Sequence, residues 1–268
     1  MLKDITLGQY FPGNSFIHRL DPRTKLIALV VYIVALFMAV NWVSYALVAV
    51  FLLLCIKIST IPAKSFIRGM KPLMMILVFT AVLNLFFTTE GTVLVDFWFI
   101  MITTAGLQRA IFMAVRILLL ICGTFLLTYT TSPISLTDGL EALMNPLKKI
   151  KVPVHELSMM MCIALRFIPT LIEETDKIMS AQKARGADFE SGTLMEKAKA
   201  LIPILVPLFI SAFRRADELA TAMECRCYQG GEGRTKMKLL RYTRWDFQAF
   251  FVAVLLLAAI VVLRALGL

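Results

Sequence analysis

Residues 26–56, LIALVVYIVALFMAVNWVSYALVAVFLLLCI, decide the fold, because these 31 residues include no charged side chain. A helix needs roughly 20 apolar residues to cross a hydrocarbon core about 30 Å thick. The stretch is therefore too long for one membrane-spanning helix and fits two short ones. We predict the break at Asn41-Trp42, where a polar residue and an aromatic side chain typical of the membrane interface interrupt the run.

The composition of the whole chain supports a membrane protein. Of the 268 residues, 59% are hydrophobic and only 17% are charged, and the mean hydropathy is +0.79. Soluble domains contain roughly 45–50% apolar residues. The composition therefore disfavours a soluble enzyme, a disordered chain, a collagen and a disulfide-linked scaffold.

Three further membrane spans are predicted from apolar runs, over residues 73–88, 110–131 and 247–263. Together with the two spans in residues 26–56, they give five. The apolar run over residues 93–102 is too short to cross, and we expect it to be re-entrant or interfacial.

The distribution of Lys and Arg predicts the orientation of the spans. Residues 1–25 and 57–71 each contain four basic residues, whereas the connection at Asn41 and residues 89–107 contain none. Since basic loops stay in the cytoplasm, the N-terminus and residues 132–246 are expected inside and the C-terminus outside.

Arg116 is a charged residue within the fourth predicted span. Intramembrane charges are usually paired or functional. We favour the interpretation that Arg116 contacts neighbouring helices or extends towards the outer surface, over the alternative that it contacts a transported solute.

Most of the remaining charge lies in the segment 132–246, which holds 17 of the 28 basic and 14 of the 18 acidic residues. Helical spacing of apolar residues predicts helices over residues 154–167, 170–185 and 201–228, with Pro169 as a kink or a new helix start. A Met-rich apolar face in the first of these helices fits either a protein interface or packing at the membrane boundary and against sibling helices.

The two later helices are related by an offset of 41 residues. Ala184-Arg185-Gly186 aligns with Cys225-Arg226-Cys227, so each helix ends in an arginine between two small residues. A guanidinium in this position can reach into a partner and donate hydrogen bonds to carboxylates or carbonyls. The alternative is that each arginine only complements the dipole of its own helix. Two matched arginines favour docking onto paired partner subunits.

The five cysteines do not indicate a disulfide framework, and their spacing relative to the two histidines does not fit a zinc site. No metal site is expected.

Several segments together resemble the transmembrane T component of energy-coupling factor (ECF) transporters, EcfT, over nearly the whole chain. They are residues 8–10, 18–26, 130–133, 152–156, 164–169, 181–186, 222–228 and 230–235. The combination of segments is specific, although no single segment is.

The resemblance implies an L-shaped all-α integral membrane scaffold in the plasma membrane of a prokaryotic cell, with coupling helices in the cytoplasm. By this resemblance, the motifs at Arg185 and Arg226 insert into two ATP-binding-cassette ATPases of the EcfA and EcfA′ types, and a membrane-embedded S component captures a vitamin or a metal ion. The chain itself would bind no cofactor, because ATP and Mg belong to the ATPases. Further candidate structural or partner contacts are Asp21, Pro22, Arg23, Arg116 and Arg166.

The second motif departs from the family pattern, because Cys227 stands where a glycine would tolerate a left-handed backbone. We therefore expect the end of this helix to shift towards Gly230. The expected regions are a membrane region over residues 1–131, a cytoplasmic coupling region over 132–246 and a C-terminal transmembrane helix over 247–268.

Two other functions are weighed against a non-catalytic coupling scaffold. A permease that binds the solute itself would need polar groups in the spans, which offer only Asn84, Arg116 and scattered hydroxyls. A membrane enzyme could use His155 and Glu156, but adjacent helical residues point about 100° apart and rarely converge on one atom. The chain also contains no phosphate-binding loop of the GxxxxGK[ST] type, so energy must come from other chains. A nucleic-acid partner is not expected.

Overall fold

Helices make up nearly all of the regular structure. The computed structural model describes residues 10–87, 93–97, 100–189, 193–231 and 239–267. The elements in these residues are α1 (Phe16–Arg19), α2 (Pro22–Met38), α3 (Trp42–Ser59), α4 (Ala63–Met70), α5 (Met74–Phe87), β1 (Val93–Phe97), β2 (Ile100–Thr103), α6 (Thr104–Thr130), α7 (Pro133–Met144), α8 (Val154–Ala184), α9 (Leu194–Cys225) and α10 (Arg244–Ala265). Short 3-10 turns cover Lys71–Leu73 and Asn145–Ile150.

The chain divides into two units. The first, which we call the bundle unit, contains the described residues within 10–142 and 240–267. The second, the helix-pair unit, contains the described residues within 143–239, including α8 and α9. Part of the predicted coupling region, residues 132–142 and 240–246, thus belongs to the bundle unit.

The prediction of an all-helical membrane protein with about five membrane-crossing helices is confirmed. Five segments of the described residues are long and apolar enough to cross a membrane: Trp42–Ser59, Ala63–Phe86, Thr104–Thr130, Val154–Ala184 and Arg244–Ala265. The set differs from the predicted one in two helices. Helix α2 has only 17 residues and is not among the five, whereas α8 is.

The predicted break at Asn41 is confirmed. Helix α2 ends at Met38, and α3 begins at Trp42 with Asn41 as its N-cap. The two helices are short because Asn41 favours a cap over a helix interior.

The described residues of the apolar run 93–102 form two strands. Strands β1 and β2 pair in antiparallel fashion, with Phe97 opposite Ile100. Val, Ile and Phe in this run favour strands, and the run is too short for a spanning helix. Part of the connection 89–107, which was used to predict the orientation, lies outside the described residues.

Helices α8 and α9 are longer than the sequence predicts. Helix α8 continues through Pro169 from Val154 to Ala184, so the prediction of two separate helices is wrong. Helix α9 begins seven residues before the predicted start at residue 201, at Leu194. Its N-terminus is fixed by a capping box in which the Thr193 N–H donates to Glu196 at 2.8 Å.

The core of the bundle unit lies between α2, α3, α6 and α10. Leu36, Val48 and Ile260 are fully buried there. The Tyr32 hydroxyl donates to the Leu119 carbonyl at 2.9 Å, so the one polar end of this buried aromatic is satisfied by α6.

The carboxylate of Asp246 joins the N-termini of α2 and α10. It is buried and accepts the Asp21 N–H at 2.8 Å and the Thr243 N–H at 2.7 Å. Asp21 and Thr243 are the N-caps of the two helices. One acidic side chain therefore accepts hydrogen bonds from N–H groups at the starts of both helices, which have no acceptor inside the helix. It holds the N-termini of α2 and α10 side by side.

We expect Asp246→Ala to lower the free energy of unfolding by about 2 kcal/mol, because the buried Asp21 N–H and the partly buried Thr243 N–H lose their acceptor. Thermal unfolding of the purified protein in mild detergent measures this loss. The control is Asp217→Ala, since Asp217 is exposed on α9. Equal unfolding temperatures for both variants would contradict the role of Asp246.

Candidate functional site

Helix α8 ends in a Schellman motif that presents Arg185. Arg185 is the C-cap, the Gly186 N–H donates to the Lys183 carbonyl at 3.0 Å, and the Ala187 N–H donates to the Gln182 carbonyl at 3.0 Å. Gly186 has a φ of +88°, which glycine adopts at low cost.

Helix α9 ends in the same motif around Arg226. The Cys227 N–H donates to the Glu224 carbonyl at 2.8 Å, and the Tyr228 N–H donates to the Met223 carbonyl at 3.0 Å. Cys227 takes the place of the glycine with a φ of +54°. The expected shift of the helix end towards Gly230 is therefore wrong, because the hydrogen bonds of the motif outweigh the cost of about 1 kcal/mol for a side chain in this conformation.

Helices α8 and α9 pack in antiparallel fashion. The Glu174 carboxylate of α8 accepts hydrogen bonds from the Ser211 hydroxyl and, at 2.7 Å, from the Arg215 guanidinium of α9. Eight residues further along α8, the Gln182 amide contacts the Pro203 carbonyl at 3.4 Å, eight residues earlier than Ser211 in α9. A later residue of α8 thus contacts an earlier residue of α9, so the two helices run in opposite directions.

The antiparallel pairing places the two motif arginines at opposite ends of the helix pair. Arg185 is three residues from Gln182, which contacts Pro203 of α9. Arg226 lies at the other end of α9, about 35 Å from Pro203 at a rise of about 1.5 Å per residue. Within the described residues, neither guanidinium has a hydrogen-bond or ion-pair partner, and both are exposed. Their small neighbours Ala184, Gly186, Cys225 and Cys227 are exposed as well.

Arg166 does not join either motif. It is exposed on α8, far from the helix end that carries Arg185, and it has no ion pair among the residues that the structure describes.

Asp21, Pro22 and Arg23 form the start of α2 in the bundle unit. The Asp21 carboxylate accepts the Arg23 N–H at 3.0 Å as an N-cap, and Pro22 occupies the first helical position. The Arg23 guanidinium contacts the Leu240 carbonyl at 3.5 Å and lies over the Tyr242 ring at 5.3 Å.

Helix α7 packs closely onto this start. A β-carbon at Gly139 would lie 2.8 Å from the Pro22 side chain and 3.2 Å from its backbone. The absence of a side chain at Gly139 therefore permits the contact.

Lys25 connects three elements of the bundle unit. Its ammonium group is buried and donates to the Thr130 carbonyl at 2.9 Å, the Thr131 hydroxyl at 3.2 Å and the His18 carbonyl at 3.3 Å. It thereby caps the C-terminal end of α6, where a cation is favoured. Partial burial lowers the pKa of His18 below its usual value, and the positive charge of Lys25 adds to this effect.

Arg116 is held by groups within the chain. Its Nε donates to the Tyr45 hydroxyl at 2.9 Å, and its Nη2 donates to the Ala39 carbonyl at 3.2 Å. Ala39 is the C-cap of α2, so the guanidinium complements the negative end of that helix. The Phe37 and Tyr45 rings lie 5.7 and 5.8 Å from it.

Among the described residues, no group of three or more His, Cys, Asp and Glu side chains could hold a metal ion.

Comparison with known proteins decides the family. A family model described as the cobalt transport protein CbiQ matches residues 13–237. The energy-coupling factor transporter transmembrane protein EcfT of Clostridium kluyveri is 55% identical over 98% of both chains, and that of Ruminiclostridium cellulolyticum is 52% identical over 98% of both. The Bacillus subtilis EcfT is 49% identical over 99% of this chain and 100% of its own.

The chain belongs to the EcfT family. It is a transmembrane component of an energy-coupling factor transporter. The resemblance inferred from the sequence motifs is thus confirmed over nearly the full length.

The sequence motifs of this EcfT member did not predict the roles of Asp246 and Lys25. A signal for Asp246 was present, because Thr243 followed by an acidic residue three positions later, before an apolar run, is typical of a helix N-terminus. Lys25 carries no comparable signal, since two of its three acceptors, at Thr130 and Thr131, are 105 and 106 residues away in the chain.

We expect Cys227→Gly to raise the free energy of unfolding by about 1 kcal/mol and Gly186→Ala to lower it by a similar amount. Both residues have positive φ, and no atom lies within 4 Å of a β-carbon at Gly186, so the backbone conformation alone decides the effect. Thermal unfolding in detergent tests both variants. A destabilising Cys227→Gly would show that the thiol contributes contacts worth more than the strain.

Proposed function

We propose that this EcfT member is a non-catalytic energy-coupling scaffold of an ABC-type importer. Two ATPase subunits of the EcfA and EcfA′ types each receive one motif arginine, and their ATP-driven motion passes through α8 and α9 to a substrate-binding S component. The observation that carries the proposal is that Arg185 and Arg226 stand at equivalent, exposed helix ends without partners among the described residues.

Arginine suits this role chemically. Its planar guanidinium presents five donors, and it can bind a carboxylate or two carbonyls of a partner groove at once. Small flanking residues let the partner backbone approach. An exposed arginine that only complemented its own helix dipole would need no such neighbours, and it would contribute only about 0.3–1 kcal/mol.

The contact between α8 and α9 supports transmission of the motion. The Glu174–Arg215 ion pair is half-buried, with 22% and 31% of the side chains exposed. Together with the Ser211 hydroxyl, it links the two helices between the two arginines. A displacement at one helix end therefore acts on the other helix.

A wide apolar face of α9 supports docking of the S component. Helix α9 is not among the segments that are apolar enough to cross a membrane, yet it exposes large apolar side chains. They are Leu201, Ile202, Leu205, Val206, Phe209, Ile210 and Phe213. Exposed apolar surface of this extent is typical of a protein interface. The S component would bring a vitamin or a metal ion as the transported solute.

The polar groups in the spans argue against the alternative of a permease that binds the solute itself. The Arg116 guanidinium is bound to Tyr45 and Ala39, and the Asn84 amide donates to the Thr80 carbonyl at 2.8 Å. These groups are engaged within the chain. We therefore assign no solute and no cofactor to this chain and place ATP and Mg in the ATPase subunits.

We place the N-terminus, α8 and α9 in the cytoplasm and the C-terminus outside. The Asp246 and Lys25 contacts bring the starts of α2 and α10 and the end of α6 to one side of the bundle unit. Five spans formed by α2, α3, α5, α6 and α10 satisfy this arrangement. Helix α9 is not apolar enough to cross a membrane, and α8 packs against it. We therefore place both helices in the cytoplasm.

We expect Arg185→Ala and Arg226→Ala each to reduce solute uptake and recovery of the ATPases by about tenfold, because the partner's acceptors lose a paired charge. The double variant is expected to lose both. Co-purification from mild detergent and uptake by cells that express the whole transporter measure these effects.

Arg214→Ala is the matched control for this pair of variants, because Arg214 is an exposed arginine within α9. A double variant that retains both ATPases and transports at the wild-type rate would refute the docking role.

We expect a cysteine at Val40 to react with a membrane-impermeant maleimide in intact cells, in a chain whose native cysteines are replaced by serine. Val40 is exposed between α2 and α3, on the side assigned to the outside. The control is Ile150→Cys, which is exposed and is expected to react only after permeabilisation. The reverse labelling pattern would overturn the orientation.

A further inference from the structure

The five cysteines of the chain differ in exposure. Cys122 is buried, and Cys55 and Cys162 are half-buried. Cys225 and Cys227 are exposed, and they flank Arg226. The accessible thiols are therefore concentrated at one of the two motif arginines.

The backbone does not account for a cysteine at position 227. Its φ of +54° lies in the left-handed region that favours glycine, and the equivalent position of α8 is Gly186 with a φ of +88°. The hydrogen bonds of the two helix ends are otherwise the same. Since a side chain is unfavourable in this conformation, we look for the role of Cys227 in the chemistry of its thiol.

The surroundings of the two thiols permit nucleophilic chemistry. Both thiols are exposed, so a dissolved disulfide can reach either sulfur. They flank Arg226 in sequence at the exposed end of α9.

We propose that Cys225-Arg226-Cys227 is a thiol-modification site that takes low-molecular-weight disulfides. A thiolate of the site attacks one sulfur of the disulfide, a new S–S bond forms to the cysteine, and the old S–S bond breaks. The second half of the reagent leaves as a thiolate and takes up the proton that the cysteine released. The cysteine is oxidised and the reagent reduced, and a free thiol in excess reverses the reaction.

The functional consequence rests on the proposed docking of Arg226. A bulky adduct on either cysteine adds volume where Ala184 and Gly186 leave the end of α8 open, and it keeps a partner backbone from approaching Arg226. Arg185 is unaffected, because its neighbours Ala184 and Gly186 have no reactive group. The site thus makes one of the two docking points sensitive to the thiol–disulfide balance.

The test uses the full-length chain in mild detergent, treated with oxidised glutathione before the ATPase subunits are added. Peptide mass mapping locates the adducts, which we expect on Cys225 or Cys227 and not on Cys55, Cys122 or Cys162. Recovery of the ATPases on the chain is expected to fall by about tenfold after treatment and to return after reduction with dithiothreitol.

The control is the double variant Cys225→Ser, Cys227→Gly, compared with itself before and after treatment. We expect its ATPase recovery to change less than about twofold on treatment, since the reactive thiols are gone. Adducts confined to the other three cysteines, or equal sensitivity of the variant and the wild type, would overturn the proposal.

A parallel Arg226→Ala sample separates this inference from the proposed function. If adducts form at the two cysteines but neither they nor Arg226→Ala alter ATPase recovery, the docking role of Arg226 fails and the regulatory consequence fails with it. If Arg226→Ala abolishes recovery and no adduct forms at the two cysteines, docking stands and the thiol site is refuted.

Discussion

Helix ends that are buried in the bundle unit leave backbone N–H and C=O groups that water cannot reach, and this constraint governs the unit. Three charged side chains meet it in the bundle unit. Asp246 accepts from the starts of α2 and α10, Lys25 donates to the end of α6, and Arg116 donates to the end of α2. Each of these charged groups is therefore fixed in place by its hydrogen bonds to the helix end.

Arg185 and Arg226 differ from these three residues, although they also stand at helix ends. The last carbonyls of α8 and α9 are satisfied by backbone N–H groups of the Schellman motifs. The two guanidinium groups are therefore not needed by their own helices. This separation of backbone satisfaction from side-chain chemistry is the physical basis for assigning them to partner subunits of the transporter.

The sequence predicted those features that depend on neighbouring residues. An uncharged run interrupted by Asn41 was enough to predict the break between α2 and α3. The 41-residue offset was enough to predict that Arg185 and Arg226 stand at equivalent helix ends. Prediction failed where distant contacts or competing local preferences decide. A new helix start at Pro169 was one of two predicted alternatives, but α8 continues through this residue, and α9 begins at Leu194 and not at the predicted residue 201. The family motifs identified the candidate arginines, whereas the joint cap at Asp246 required knowledge of which helices are adjacent.

The opposite directions of α8 and α9 have a mechanical consequence. Forces applied at Arg185 and Arg226 act on two ends of a linked pair, with the Glu174–Arg215 contact between them. Under the proposed docking, opposite forces applied across the pair at its two ends turn it about that contact, whereas forces in the same direction shift the pair as a whole. The relative direction in which the two ATPases move would therefore decide whether the apolar face of α9 rotates or translates.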